Sequence, residues 1–342
     1  MQQFEKQNLD SFYRTFEEKF RGPREMIKDR LRVYLPFIEP LITMSSHCCA
    51  VDLGCGRGEW LELMRETGVQ AHGVDLDDGM LAACRELCLS TEMAGAVSYL
   101  QKLADQSVDI VSGFHIAEHL SFQDLQILVQ EALRVLKPAG LLVLETPNPE
   151  NIQVATTNFY LDPTHQRPIP PLLLSFLPEY YGFKRTKILR LQESSELAQS
   201  LRLHLLSVLT GASPDYAVIA QKQADVDLLA GFDDAFAQTY GLSQDELLDR
   251  WDKDFDHTIQ QAEAKAQQAE AKAEQAEVKA VQAEVKAVQA EAKAVQAEVK
   301  AVQAEVKAVQ AEAKAVQAEA KAEQAEAKAE QAEAKAEQAE AK

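Results

Sequence analysis

The stretch Val51-Asp52-Leu53-Gly54-Cys55-Gly56-Arg57-Gly58-Glu59-Trp60 decides the fold, because a β-rich run ends there in a glycine-rich turn that opens a helix. Glycine is needed where backbone takes positive φ or lies against a ligand, and Gly54, Gly56 and Gly58 together exceed what an ordinary turn asks for. The dinucleotide fingerprint G-x-G-x-x-G is not met: Gly58 comes one residue early and Glu59 stands where the third glycine belongs. Asp52 before the turn and Asp75, which ends the next apolar run in HGVDLDD, form a pattern by which a sheet holds an amino-acid head and a ribose. The bland alternative is a tight βα turn with a chance acid downstream.

Outward from this turn, short β-rich runs alternate with helix-like stretches. This is the sign of an α/β fold, a parallel sheet with helices on both faces. Strands are expected at 48–53, 69–75, 108–113, 141–146, 186–191 and 216–221, and helices at 58–66, 78–88, 121–136 and 170–181. Residues 5–20 and 24–42 read as helices of an N-terminal annex, broken by Gly22 and Pro23. The expected domains are an annex over 1–45, a cofactor domain over 46–222, an acidic helical linker over 223–258 and a heptad-repeat coiled coil over 259–342.

The 342 residues carry 35 basic and 54 acidic side chains, a net charge of −19. No strong basic field is available to neutralise phosphates, which argues against nucleic acid as a partner. Seven basic residues against four acids fall in 14–32, whereas ten acids fall in 223–260 against Arg250 and Lys253, so charge is polarised along the chain. The five cysteines lack zinc spacing and read as reduced thiols, predicting neither disulfides nor a metal. The N-terminus MQQFEKQNLDSFYR has no signal-type apolar run and no stretch approaches a membrane span, so the expected address is the cytoplasm.

On VDLGCGRG at 51–58 and the acid at Asp75, the chain resembles the class I S-adenosylmethionine-dependent methyltransferases. RVLKPAG at 134–140 is similar to that family's turn before the fifth strand, and IAEHL at 116–120 to its segment after the fourth. The resemblance implies a Rossmann-like, mostly parallel seven-stranded sheet. It also implies S-adenosylmethionine held by Asp52, Gly54, Cys55, Gly56, Gly58, Asp75 and Leu76, with Arg21 in a turn folding over the cofactor. Where relatives place an acid for adenine, TEMAGAVSYL offers Gly95. More narrowly, FRGPREMIKDRL, SGFHIAEHL, ETPNPENI and FYLDPTHQRPIPP resemble methyltransferases of bacterial O-antigen clusters, some of which cap a growing lipopolysaccharide chain and carry a long coiled coil. That resemblance implies a saccharide or glycan-phosphate acceptor, and a glycosyltransferase or polymerase partner that would hold the protein peripherally at the inner membrane.

Methyl transfer from a sulfonium is an in-line displacement, so the protein must chiefly align donor and acceptor and exclude water. A sugar hydroxyl would call for a proton acceptor, with His165, His115 and His119 as candidates; an ionised phosphate would need only positioning. His115 and His119 read equally as packing or helix-terminal histidines. His165 sits in the proline-bracketed loop Asp162-Pro163-Thr164-His165-Gln166-Arg167-Pro168, where the guanidinium of Arg167 is suited to clamp an anion. Glu118 is placed to orient an imidazole or to face solvent. The basic run Arg14, Lys19, Arg21, Arg24, Lys28, Arg30 and Arg32 reads for most members as a solvated helix face, with Arg21 the exception.

From Gln261 the chain becomes a seven-residue repeat built on QAE[V/A]KA, in 11 copies plus QAEAK, contributing −4 to the charge. Val278, Val281, Val285, Val288, Val295, Val299, Val302, Val306, Val309 and Val316 fall on one 3-4 alternation, an apolar seam with Ala292 and Ala313 in its gaps. Glu274, Glu323, Glu330 and Glu337 interrupt it at the ends. A helix of roughly 120 Å is expected, beginning near the capping box Ser243-x-x-Glu246. β-Branched residues at both seam positions favour a homo-oligomer of more than two strands, a trimer for instance. Two readings compete with the methyltransferase: a dinucleotide-dependent dehydrogenase, and a non-catalytic scaffold with a vestigial cofactor domain and a spacer rod.

Overall fold

The computed structural model describes residues 22–45, 47–200 and 202–340; the helix expected over 5–20 and Arg21 lie outside the described residues. The strands are β1 Cys49–Leu53, β2 Gln70–Asp75, β3 Ser90–Met93, β4 Val108–Phe114, β5 Leu136–Pro147, β6 Arg185–Leu191 and β7 Asp215–Gln221. They form one seven-stranded sheet in the order β3-β2-β1-β4-β5-β7-β6. Strands β1 to β5 pair in parallel, and β7 runs antiparallel between β5 and β6. β3 has no counterpart among the strands expected from apolar runs: Ser90-Thr91-Glu92-Met93 is polar, largely exposed and held at the sheet edge by β2.

The helices are α1 Arg24–Leu31, α2 Leu35–Met44, α3 Glu59–Glu66, α4 Asp78–Glu86, α5 Ala96–Leu100, α6 Phe122–Val135 and α7 Ile152–Thr156. They continue with α8 Pro171–Tyr181, α9 Ser195–Gln199, α10 Leu205–Thr210, α11 Val226–Ala230, α12 Asp233–Ala237 and α13 Gln244–Glu340. The single helix expected over 24–42 is instead two, separated by a 3-10 turn at Arg32–Tyr34. Pro36 lies in the first turn of α2, where its missing N–H costs nothing. One face of the sheet packs on Tyr34, Phe37, Trp60, Leu63 and Phe232, so the annex is part of the core. The other face packs on α6 and α8 through Leu128, Val129 and Leu174. α6 forms because Leu125, Leu128, Val129, Ala132 and Val135 recur at helical spacing and Ser121 Oγ caps it by accepting from Asp124 N at 3.1 Å.

The basic face of α1 is not simply solvated. Lys28 is buried and its ammonium meets Glu66 at 2.6 Å and Glu62 at 3.3 Å, while Arg24 meets Glu62 at 2.8 Å, strapping α1 across α3. The acidic segment expected as a linker over 223–258 is also packed on the domain. Leu229, Phe232 and Ala235 are buried in the core while Asp225, Asp227, Asp233 and Asp234 face out, and Phe236 meets Phe37 edge-on at 5.3 Å. The first compact unit accordingly runs to His257 and a second begins at Thr258. Ser243 Oγ accepts from Glu246 N at 3.0 Å at the start of α13. Every seam valine is at least half exposed. Among the described residues no helix is long and apolar enough to cross a membrane.

Candidate active site at the strand ends

The sheet order reverses between β1 and β4, and there a cavity of about 540 Å³ opens at the C-terminal ends of β1, β4 and β5. Open α/β sheets bind ligands at such a switch point. The glycine turn forms one wall. Gly54, Gly56 and Gly58 have φ of +69°, +52° and +82°, and a Cβ on Gly58 would lie 2.7 Å from Cys84 Sγ, so the turn closes only with glycine there. Asp75 fixes its shape: Oδ2 accepts from Gly56 N at 2.9 Å and Oδ1 from Asp77 N at 2.8 Å. Asp52 is buried and accepts from Ser112 Oγ at 2.7 Å. Gly54, Cys55 and Asp52 line the cavity, whereas Gly56, Gly58, Asp75 and Leu76 stand outside its lining, and the Leu76 side chain is exposed. Gly95 caps the N-terminus of α5 in extended conformation. The backbone at Gly22 lies over the glycine turn, its carbonyl accepting from Arg57 Nη2 at 3.2 Å.

The three histidines also line the cavity. His115 follows β4 with a left-handed φ of +56°, a conformation uncommon without glycine. Its Nδ1 faces Glu118 Oε1 at 3.2 Å and its Nε2 faces Glu145 Oε1 at 3.3 Å. Glu145 also accepts from the Tyr34 hydroxyl, and Glu118 Oε2 from Thr146 Oγ1 at 2.9 Å. Burial alone would lower the His115 pKa, but hydrogen bonds to Glu118 and Glu145, with Asp215 behind them, hold it well above the usual imidazole value. Burial pushes Glu118 up, and His115 outweighs that to leave it below the usual carboxylate value. Asp215 is pushed up to about 6, chiefly by burial. His115 is therefore an imidazolium clamped between carboxylates and a poor proton acceptor.

His119 and His165 differ from it. Their rings meet edge-on at 4.8 Å, and burial lowers the His119 pKa. The His165 Nδ1 donates to Phe159 O at 2.6 Å, so the tautomer with a single N–H carries its lone pair on Nε2. Arg167 lies outside the cavity lining with its guanidinium over the Phe122 ring at 4.6 Å, and Glu118 is buried behind the histidines. Sequence reasoning missed Glu145, Asp215, Arg30 and Trp60 as cavity residues. Glu145 had a readable signal, the acid ending an apolar run. Asp215 had none, since it starts an antiparallel strand far along the chain and reaches the site only by pairing opposite Pro147.

The His115 clamp carries a stability prediction. His115→Asn keeps the left-handed turn, which asparagine tolerates, yet leaves Glu118 and Glu145 buried without their cation, at a cost of about 2 kcal/mol or roughly 5 °C in Tm. A folded-state imidazole pKa above the unfolded value contributes stability that is complete below about pH 6.5 and fades as pH rises through the folded pKa. The gap between variant and parent in calorimetric melts should therefore be widest near pH 6 and narrow toward alkaline pH.

A methyltransferase-domain family profile matches residues 51–144, from β1 through most of β5. Among curated proteins, a probable S-adenosylmethionine-dependent methyltransferase of Mycolicibacterium smegmatis is 29% identical over 158 residues, 45% of this chain and 60% of that one. The malonyl-[acyl-carrier protein] O-methyltransferase 1 of Coxiella burnetii is 33% identical over 168 residues, 48% of this chain and 54% of that one. The chain thus spans little more than half the length of these relatives. A solved S-adenosylmethionine-dependent methyltransferase from Archaeoglobus fulgidus is 35% identical with a TM-score of 0.55, and the match covers 62% of this chain and all of that one. Because that likeness takes in the whole of a solved relative at 35% identity, the chain belongs to the class I S-adenosylmethionine-dependent methyltransferases.

Proposed function

We propose that the chain transfers a methyl group from S-adenosylmethionine to an oxygen of a saccharide, a hydroxyl or a phosphate, capping a bacterial surface polysaccharide of the O-antigen type. The residues fit the cofactor. Gly54 brings bare backbone to the cavity beside Cys55, Asp52 and Asp75 are set toward the ends of β1 and β2, and Trp60 keeps a buried Nε1–H with no partner among the described residues. When bound, S-adenosylmethionine supplies an electrophilic methyl group for in-line displacement. The protein's residues orient an acceptor and exclude water: Trp60, Phe114 and Leu31 give the cavity apolar lining, and His119, His165 and Asp162 give it polar groups. The observation that carries the reading is this histidine-lined cavity continuous with the glycine turn.

The seam of the tail has a natural occupant in further copies of the same chain, since equal heptads bury equal valines. Self-association through the tail, with a glycosyltransferase or polymerase held at its far end, would let copy number set spacing at about 10 Å per heptad. The resemblance in FYLDPTHQRPIPP to O-antigen methyltransferases supports the acceptor class. Incubating the full-length chain with methyl-labelled S-adenosylmethionine and lipid-linked O-antigen tests it: label should enter the glycan terminus, and labelled product from no glycan acceptor would refute the reading. A glycan acceptor extends beyond the cavity, so Arg167→Ala should raise its KM about tenfold through the lost anion clamp, while cofactor affinity stays nearly unchanged because Arg167 stands on Phe122 outside the cavity lining. Calorimetry and initial rates separate the two effects; equal loss of both would mark a structural loop.

A further inference from the structure

Resting on the methyltransferase reading and deepening it, we infer that Glu118, His119 and His165 form a site for a divalent first-row transition cation that holds the acceptor oxygen beside the cofactor. A Glu118 carboxylate oxygen and one ring nitrogen from each histidine lie within 4.8 Å of one another. His119 and His165 line the cavity, so an ion there faces the ligand. The chemistry of the three groups is of one kind. His165 Nδ1 is committed to the Phe159 carbonyl, and its Nε2 stands 3.9 Å from Glu118 Oε1 and 3.8 Å from Asp162 Oδ2. Those separations are too long for hydrogen bonds, so neither carboxylate engages Nε2, which stays open toward a cation.

His119 is fixed in the same sense. Thr164 Oγ1 lies 2.6 Å from Asp162 Oδ1 and 3.0 Å from His119 Nδ1. The carboxylate only accepts, so the hydroxyl hydrogen goes to Asp162 and His119 Nδ1–H donates to Thr164, leaving Nε2 as the lone pair. Each ring nitrogen opposite the lone pair is thus tied to a carbonyl or a hydroxyl, the outer support that orients histidine ligands on metals. Glu118 is held by Thr146 Oγ1 on Oε2 and by His115 Nδ1 on Oε1, and each carboxylate oxygen keeps a second lone pair for an ion. Two imidazoles and a carboxylate suit Mn, Fe or Zn in the divalent state, with the remaining positions left for oxygen ligands.

Ligands about 2.1 Å from one ion stand roughly 3.0 to 3.4 Å apart, so capture draws the three groups in by about an ångström. The neighbouring trio of His115, Glu145 and Asp215 is less suited, because both nitrogens of His115 already face carboxylates. An ion at the first trio would polarise an acceptor hydroxyl and stabilise the charge left when its proton departs to water, or bridge a phosphate oxygen. Cysteine spacing carries no sign of this site, since its ligands come from the 3-10 turn Ala117–His119 and from the loop beyond β5.

The test titrates Mn2+ into the chelator-stripped, untagged full-length protein by electron paramagnetic resonance, with calorimetric S-adenosylmethionine binding measured in parallel. One ion per chain is expected, weakened at least tenfold in His165→Ala and in His119→Ala, each of which should still bind the cofactor. No saturable Mn2+, Co2+ or Zn2+ site, or binding equal in the parent and both variants, would overturn the inference. Because metal and cofactor are read separately, loss of S-adenosylmethionine binding in the parent would count against the methyltransferase reading and not against the ion site.

Discussion

Light scattering should find the full-length chain oligomeric, as proposed for its tail, and a variant with lysine at Val285, Val288, Val299 and Val302 monomeric. These valines lie on one 3-4 alternation and are 51%, 64%, 51% and 57% exposed within a single chain. Self-association is what would remove them from water, and burying a valine is worth about 1.5 kcal/mol or more per copy. Four lysines per chain would instead set like charges against one another along the seam. Lysine is a good helix former, so far-UV circular dichroism should fall much less than the mass does. A variant that keeps the parent mass would show that the tail does not assemble the protein.

The second large effect lies at the glycine turn. Asp75→Ala should weaken S-adenosylmethionine binding about 100-fold while leaving the domain folded. Hydrogen bonds to a charged partner contribute roughly 1.5 to 3 kcal/mol each, and the carboxylate holds Gly56 N and Asp77 N at 2.9 and 2.8 Å in addition to any contact with the cofactor. Its loss releases the turn that gives the cofactor its backbone wall. Asp75 lies at the partly exposed end of β2, outside both large apolar clusters, so the melting temperature should fall by only a few degrees. Calorimetry with the parent and variant measures the first effect, and thermal melts measure the second.

How far the sequence could be read depended on the distance over which each feature is determined. The glycine turn is local: positive φ at Gly54, Gly56 and Gly58 is demanded by consecutive residues, and strand, turn and helix follow in order. His115, Glu118 and His119 fall within one turn of chain, so their proximity was legible as well. Their different states were not, because the imidazolium character of His115 depends on Glu145 and Asp215, brought in by β5 and β7. β3 escaped notice because an edge strand of four residues with polar side chains has no apolar pattern to show. In residues 223–257 the abundance of aspartate masked Leu229, Phe232 and Ala235, three apolar positions that tie the segment to the core. Charge density reported the outward face of α11 and α12 and said nothing of the inward one.

The glycine turn also bears on the choice of cofactor, where Glu59 occupies the place of a third glycine and forms an ion pair with Arg57 at 2.9 Å. An acid at that position is poorly placed to receive a pyrophosphate at the start of α3. The most direct measurement is therefore isothermal titration of the purified full-length chain with S-adenosylmethionine and, separately, with NAD+. The account predicts saturable binding of one S-adenosylmethionine per chain and no heat from the dinucleotide; saturable NAD+ binding with none of S-adenosylmethionine would contradict it.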